Sequence, residues 1–326
     1  MRAFTLLLAG CLASGAYQAR AEHIDPAKAY GVPGGLVVQL GASEVDAAAE
    51  LSLTGRYLIH VLERDPKTVE SAQASVRRDG RYGLAWVERQ RDEKHLPYAE
   101  NMVNLLVVRE FTVPVEELFR VLAPRGVLVV DKSAIIAKSE LEAAGFQITS
   151  PADGPLIAYK PWPKEMDVWS HPRHAADGNA VSSDTLVGPP QRVRWLAAAT
   201  SEVEGLVTSG GRNFYGGILA RDSFNGLRLW HRDLRQADGA DSPAFNLPRL
   251  SRDGPRPVAA EKLLFAVVQG RCVALDPATG AVIVEFRDIV NPTSVTYDGA
   301  RVIAADAASV RAFDGESGKM LWKLEA

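Results

Sequence analysis

Val37-Val38-Gln39-Leu40-Gly41-Ala42-Ser43-Glu44-Val45 is an apolar run that stops at a glycine and passes directly into a helix-compatible segment. On either side of it, residues 36–40, 57–62, 84–88, 103–108 and 127–131 are short runs with apolar residues on both faces. Strands of a parallel sheet covered on both sides read this way. Between them, residues 44–53, 66–77 and 114–122 have helical spacing. Strands alternating with helices predict an α/β doubly wound, Rossmann-type domain over residues 22–160.

Beyond it the character changes. A proline-rich stretch, 155–163, leads into a polar linker over 161–195 that holds Trp169-Ser170-His171-Pro172-Arg173-His174. From residue 196 to 326 the chain reads as short β runs separated by Asp, Asn and Gly, an all-β half. That half repeats. Asp222-Ser223-Phe224-Asn225-Gly226 with Trp230 is echoed by Asp276-Pro277-Ala278-Thr279-Gly280 with Val284, and again by Asp314-Gly315-Glu316-Ser317-Gly318 with Trp322. In each copy Asp can cap a turn, Gly supplies the positive φ, and a bulky residue ends the next strand. Blades of roughly 40 residues are the propeller signature, so the spacing predicts an all-β partial propeller of about three blades. Known propellers need about four to eight. The expectation is therefore either a truncated reading frame or an arc completed by another chain.

The whole chain sets further bounds. Its 326 residues suit two domains, and the formal net charge of −3 gives no field that would gather nucleic acid. At the N-terminus Arg2 precedes an apolar stretch and then Ala19-Arg20-Ala21, the pattern of a signal peptide over residues 1–21. The stretch is too short for a transmembrane span. Leu8-Ala9-Gly10-Cys11 also matches a lipobox, which would make Cys11 a lipid anchor. Either way the protein is expected outside the cytosol, in the periplasm or cell envelope. Cleavage leaves Cys272 as the one cysteine, expected to be a buried thiol.

Four stretches in order resemble the class I S-adenosylmethionine (SAM) methyltransferases. They are the Gly41 turn, the strand end Val61-Leu62-Glu63-Arg64-Asp65, the run Leu96-Pro97-Tyr98 through Val103-Asn104-Leu105, and Glu117 to Gly126, which resembles "E-x-x-R-V-L-x-P-G-G". The resemblance implies SAM as cofactor, with Gly41 at its close approach, Glu63 on the ribose hydroxyls and Asp92 on the adenine amine. Three departures point to weak or lost binding. Ser43 and Val45 replace two glycines of the family turn, Gln39 replaces its acid, and Glu44 faces the methionine end of the pocket. After residue 130 one helix, 138–144, and one strand near 156–159 are expected, with the family's antiparallel closing pair hard to fit. An exported domain would also find no SAM outside the cytosol.

The β half resembles the pyrroloquinoline-quinone (PQQ)-like repeat propellers, which include quinoprotein dehydrogenases and outer-membrane assembly scaffolds. Ala274-Leu275-Asp276-Pro277-Ala278-Thr279-Gly280 carries that likeness, and the linker resembles the junction of a family that fuses the two domains. Trp230 and Trp322 are expected to dock blades. The acid-and-amide cluster that holds Ca²⁺ beside a quinone is not found, which argues against PQQ. His171 and His174 with Asp177 are expected to dock the domains rather than bind metal. The function this implies is a binding or scaffold role in the envelope, with an envelope protein as partner. A SAM-dependent methyltransferase and a quinoprotein oxidoreductase are the alternatives, and no catalytic residue is identified.

Overall fold

The computed structural model describes residues 25–131, 136–149, 154–189, 193–197, 206–215, 219–232 and 255–325. The signal segment and Cys11 lie outside the described residues.

The chain enters through α1 (Pro26–Tyr30), capped by Asp25, and passes to β1 (Gly35–Leu40). Then come α2 (Val45–Glu50), β2 (Tyr57–Glu63), α3 (Pro66–Arg78), β3 (Ala85–Arg89), β4 (Val103–Val108), α4 (Val115–Val121) and β5 (Leu122–Val130). A short α5 (Lys138–Ala143), β6 (Gln147–Ile148) and β7 (Leu156–Tyr159) close the domain. The seven strands form one sheet in the order β3-β2-β1-β4-β5-β7-β6, parallel from β3 to β5. Strand order reverses between β1 and β4, the switch point of a doubly wound sheet. β7 runs antiparallel to both β5 and β6, so the antiparallel closing pair, which the sequence makes hard to fit, is present. Its first member is only two residues long, too brief to show as a periodic run.

Alternate β1 residues face opposite cores. Leu36, Val38 and Leu40 pack with Leu118, Val121 and Leu141 on the α4–α5 side. Val37 packs with Ala49, Ala72 and Val76 on the α2–α3 side. Both faces are covered, which is why the strands read as unbroken apolar runs.

β5 begins five residues earlier than expected. Its pairing with β4 jumps from Val103↔Leu122 to Leu105↔Val127, so residues 123–126 bulge out opposite Asn104. Arg125 sits in that bulge at φ +67°.

Three four-stranded antiparallel sheets follow. The first blade is β8 (Leu206–Ser209), β9 (Arg212–Tyr215), β10 (Leu219–Asp222) and β11 (Arg228–His231). The second is β12 (Val258–Ala259), β13 (Leu264–Val268), β14 (Arg271–Leu275) and β15 (Val282–Val290). The third is β16 (Ser294–Tyr297), β17 (Arg301–Ala305), β18 (Ser309–Asp314) and β19 (Met320–Glu325). Together they form an unclosed partial propeller.

One rule joins the blades. The Asp carboxylate of each repeat accepts backbone N–H groups of its turn, and the Gly takes φ near +72°. A bulky residue from the preceding segment then lies on that bare glycine. Trp195 covers Gly226, Trp230 covers Gly280 at 2.7 Å from where a Cβ would stand, and Val284 covers Gly318 at 2.5 Å. Trp230 is buried and donates from Nε1 to Pro277 O at 2.9 Å. Trp322, in the same register on β19, is 42% exposed, so among the described residues it docks on no blade. Cys272 is free and buried, and burial pushes its thiol up to about 12.

Candidate functional site

The crevice beyond the carboxyl ends of β1 and β4 is where a doubly wound sheet takes its ligand. Gly41 turns the chain there at φ +104° and donates to Leu62 O at 2.8 Å. This brings it beside Glu63. The Glu63 carboxylate is 5% exposed and holds the protein's own backbone: Oε2 accepts from Ala42 N at 2.9 Å, and Oε1 from Arg64 N at 2.6 Å and Asp65 N at 2.9 Å. Asp92 is elsewhere. Its Oδ1 accepts from Lys94 N and His95 N within its own exposed turn, and these bonds hold its carboxyl below the usual range. No hydrogen bond joins it to Gly41 or Glu63 among the described residues.

Two residues that sequence reasoning missed, Arg109 and Glu110, follow directly on β4. Glu110 lies across the Gly41 turn. A Cβ on Gly41 would stand 2.7 Å from the Glu110 Cβ, and Glu110 Oε1 accepts from Ser43 N at 2.9 Å. Arg109 spans the mouth, donating to Gln39 Oε1 at 3.2 Å, Glu44 Oε2 at 2.9 Å and Asp131 Oδ2 at 3.2 Å. Gln39 in turn donates from Nε2 to Gly41 O and Ser43 O, so it braces the turn from below. Glu44 takes a left-handed backbone at φ +56° to meet Arg109. A charged pair placed just past a central parallel strand was the signal available in the sequence.

A second polar group lies on the α4–α5 face of the sheet. His60 is buried, stacks on Trp86 with ring centres 4.3 Å apart, and meets the Tyr98 hydroxyl through Nδ1 at 2.7 Å. Burial pushes its imidazole down to about 4, so it is neutral at pH 7. Its Nε2 has no hydrogen-bond partner and lies 3.4 Å from a Glu88 oxygen.

The linker histidines point apart. His174 Nε2 meets Asp167 Oδ2 at 2.7 Å, while His171 Nε2 meets Tyr297 O of β16 at 3.0 Å. Among the described residues no group of three His, Cys, Asp or Glu could hold a metal ion. The neighbouring backbone ties to the first strands of the other two blades: Thr208 N donates to Trp169 O at 2.7 Å and Ala259 N to Ser170 O at 2.8 Å. The linker thus pins the inner strands β8, β12 and β16 together.

Strand order and repeat turns together define the class: a methyltransferase-like Rossmann domain fused to PQQ-like propeller repeats. Residues 215–326 match the PQQ_2 family, described as outer membrane protein assembly factor BamB. Among solved structures, the chain is similar to a SAM-dependent methyltransferase from Aquifex aeolicus, 19% identical, with TM-score 0.33 over 44% of this chain and 92% of that one. It is similar also to a TehB-like SAM-dependent methyltransferase from Corynebacterium glutamicum, 13% identical, with TM-score 0.31 over 39% and 80%. The [4+2]-cyclase SpnF is 20% identical, with TM-score 0.33 over 38% of this chain and 56% of the cyclase, so the chain spans just over half the cyclase's length. No curated protein matches the chain. The fold rests on strand order and repeats, which carry it by themselves.

Proposed function

We propose that this is an exported binding or scaffold protein of the cell envelope, whose Rossmann domain has lost its SAM site. The observation that carries the reading is the occupation of the crevice by the chain itself. Glu63, the acid that would hold a ribose, is engaged by three backbone N–H groups, and Glu110 and Arg109 bond to Ser43 and Glu44 of the Gly41 turn. Displacing them would break the buried hydrogen bonds of Glu63, and the exposed contacts of Arg109 and Glu110 would add up to about 1 kcal/mol each. The residues present therefore do not fit SAM, and no methyl-transfer step is derived.

The envelope placement draws support from the BamB description of the matched family and from the signal-like N-terminus. No described helix is long and apolar enough to cross a membrane. The linker is tied to β8 and β12 by backbone hydrogen bonds and to β16 by the His171 ring, which supports a structural rather than a quinone-binding role for the blades.

Isothermal titration of the full chain with SAM and S-adenosylhomocysteine tests the reading, and no heat of binding is expected at micromolar ligand. Micromolar affinity would overturn the loss of the SAM site and favour the second reading, a SAM-dependent methyltransferase, with which the complete seven-stranded sheet agrees. N-terminal sequencing after expression in a Gram-negative host tests export. A start near Glu22 is expected, an acylated Cys11 would mean a lipid anchor, and an intact Met1 in the cytosol would refute export.

A further inference from the structure

A different cavity opens at the opposite, amino end of the strands, between the sheet and the first blade. It has a volume of about 140 Å³ and is lined by Gly34, Arg125 and Gly126 on one side and Gly211, Arg212 and Phe224 on the other. Drug-sized ligands use pockets of roughly 300 Å³ or more, so only a small molecule fits here.

Two cations meet at this place. Arg125 stands where the "L-x-P-G-G" pattern has a glycine, and its φ of +67° is the backbone a glycine would accept freely. Strain of this kind persists only where the surrounding structure holds it, and it clusters at ligand sites. Its guanidinium lies 5.3 Å from the Trp162 ring centre and pairs with Glu261 Oε1 at 3.1 Å. Arg212 comes from β9. A Cβ on Gly210 would lie 3.3 Å from Arg125 Nη1 and 3.6 Å from Arg212 Nη1, so both guanidinium groups converge on one bare turn.

Arg212 is the unexplained member. No hydrogen bond or ion pair reaches its guanidinium among the described residues. Burial and the like charge of Arg125 pull its pKa below the usual arginine range, and the opposing pull of Asp222, Asp276 and Glu261 does not restore it. Asp222, the acid in the lining, is already engaged by Asn104 Nδ2 and the N–H groups of Phe224 and Asn225. A half-buried arginine beside a second arginine is the electrostatic setting that an anion relieves, through paired charge-assisted N–H···O bonds. Glycines on both walls let the ligand approach the backbone closely.

We propose that this junction cavity binds a small oxyanion, either phosphate or the carboxylate of a short organic acid, with Arg212 as its principal ligand and Arg125 as the second. The Gly41 crevice plays no part in it, so the site stands whether or not SAM binds. The test is titration calorimetry of the full chain with inorganic phosphate and, separately, acetate, at constant ionic strength set with chloride. Binding by one of them at millimolar concentration or better is expected, and which one binds identifies the source. Arg212→Gln should weaken that affinity at least tenfold. Arg125→Gly, which the backbone accommodates, should weaken it several-fold. Absence of binding by both probes in the wild type overturns the proposal. So does an affinity that neither substitution changes.

Discussion

Asn104 Nδ2 donates to Asp222 Oδ2 at 2.7 Å, from the fourth strand of the Rossmann sheet to the first repeat turn of the propeller. The same Asn104 accepts, through Oδ1, from Leu36 N of β1 at 2.8 Å and from Asn225 Nδ2 at 2.7 Å. Asn225 also donates to Met102 O at 2.9 Å. The repeat turn is therefore held as an extension of the parallel sheet, and Asp222 serves twice, as turn cap and as domain joint. An amide at position 104 suits this role because it offers a donor to a carboxylate and an acceptor to its other neighbours.

Asn104→Asp would set a second carboxylate against Asp222 in a buried place. Loss of about 3 kcal/mol or more is expected, the scale of an uncompensated buried charge. Urea unfolding of the full chain measures it. The exchange Asn104→Asp with Asp222→Asn should recover a good part of the loss, and failure to recover any would show that the pair does not couple.

Glu63→Ala removes the acceptor of three backbone N–H groups. The expected result is a stability loss of about 1–3 kcal/mol, the cost of leaving buried donors unpaired. A variant as stable as the wild type by thermal melting would contradict the bracing role.

His60 makes stability depend on pH. Its folded pKa, about 4, lies below the unfolded value of 6.5, so between these values the unfolded chain binds the extra proton. Stability is full above pH 6.5 and falls as the pH drops toward 4, by up to about 3 kcal/mol at 1.36 kcal/mol per pH unit. Carboxylates titrate near the lower end of this range, so the comparison is between Tm profiles of the wild type and His60→Gln from pH 7.5 to 5. A flatter profile is expected in the variant, and parallel profiles would exclude His60 as the source.

Gly280→Ala would place a methyl against the Trp230 indole and strain a backbone held at φ +72°. A cost of more than about 1–2 kcal/mol is expected from the backbone alone. Trp230→Ala should cost about 3–5 kcal/mol. The double variant should lose less than the sum, because the steric part of the glycine effect needs the indole. Strict additivity in chemical denaturation would contradict the docking rule.

Much of this architecture is legible in the sequence because it depends on local chemistry. Apolar runs on both strand faces mark a covered parallel sheet, and an Asp followed four residues later by Gly marks a capped turn wherever it recurs. The Gly41 turn and an acid 22 residues on at the end of the next strand are also legible, because adjacent parallel strands of one βαβ unit end side by side. What the sequence could not decide is what each polar group holds. Glu63 faces its own backbone rather than open space because Ala42, Arg64 and Asp65 present three N–H groups to it. Arg109 and Glu110 close the crevice only because β4 lies next to β1, a contact between residues some 70 positions apart. The two-residue β6 exists only because β7 offers it a partner edge. The pairings of Asn104 with Asp222 and of His171 with Tyr297 each join segments more than 100 residues apart. Side-chain pattern along the chain specifies which faces must be buried. Only three-dimensional packing settles which donors and acceptors then meet.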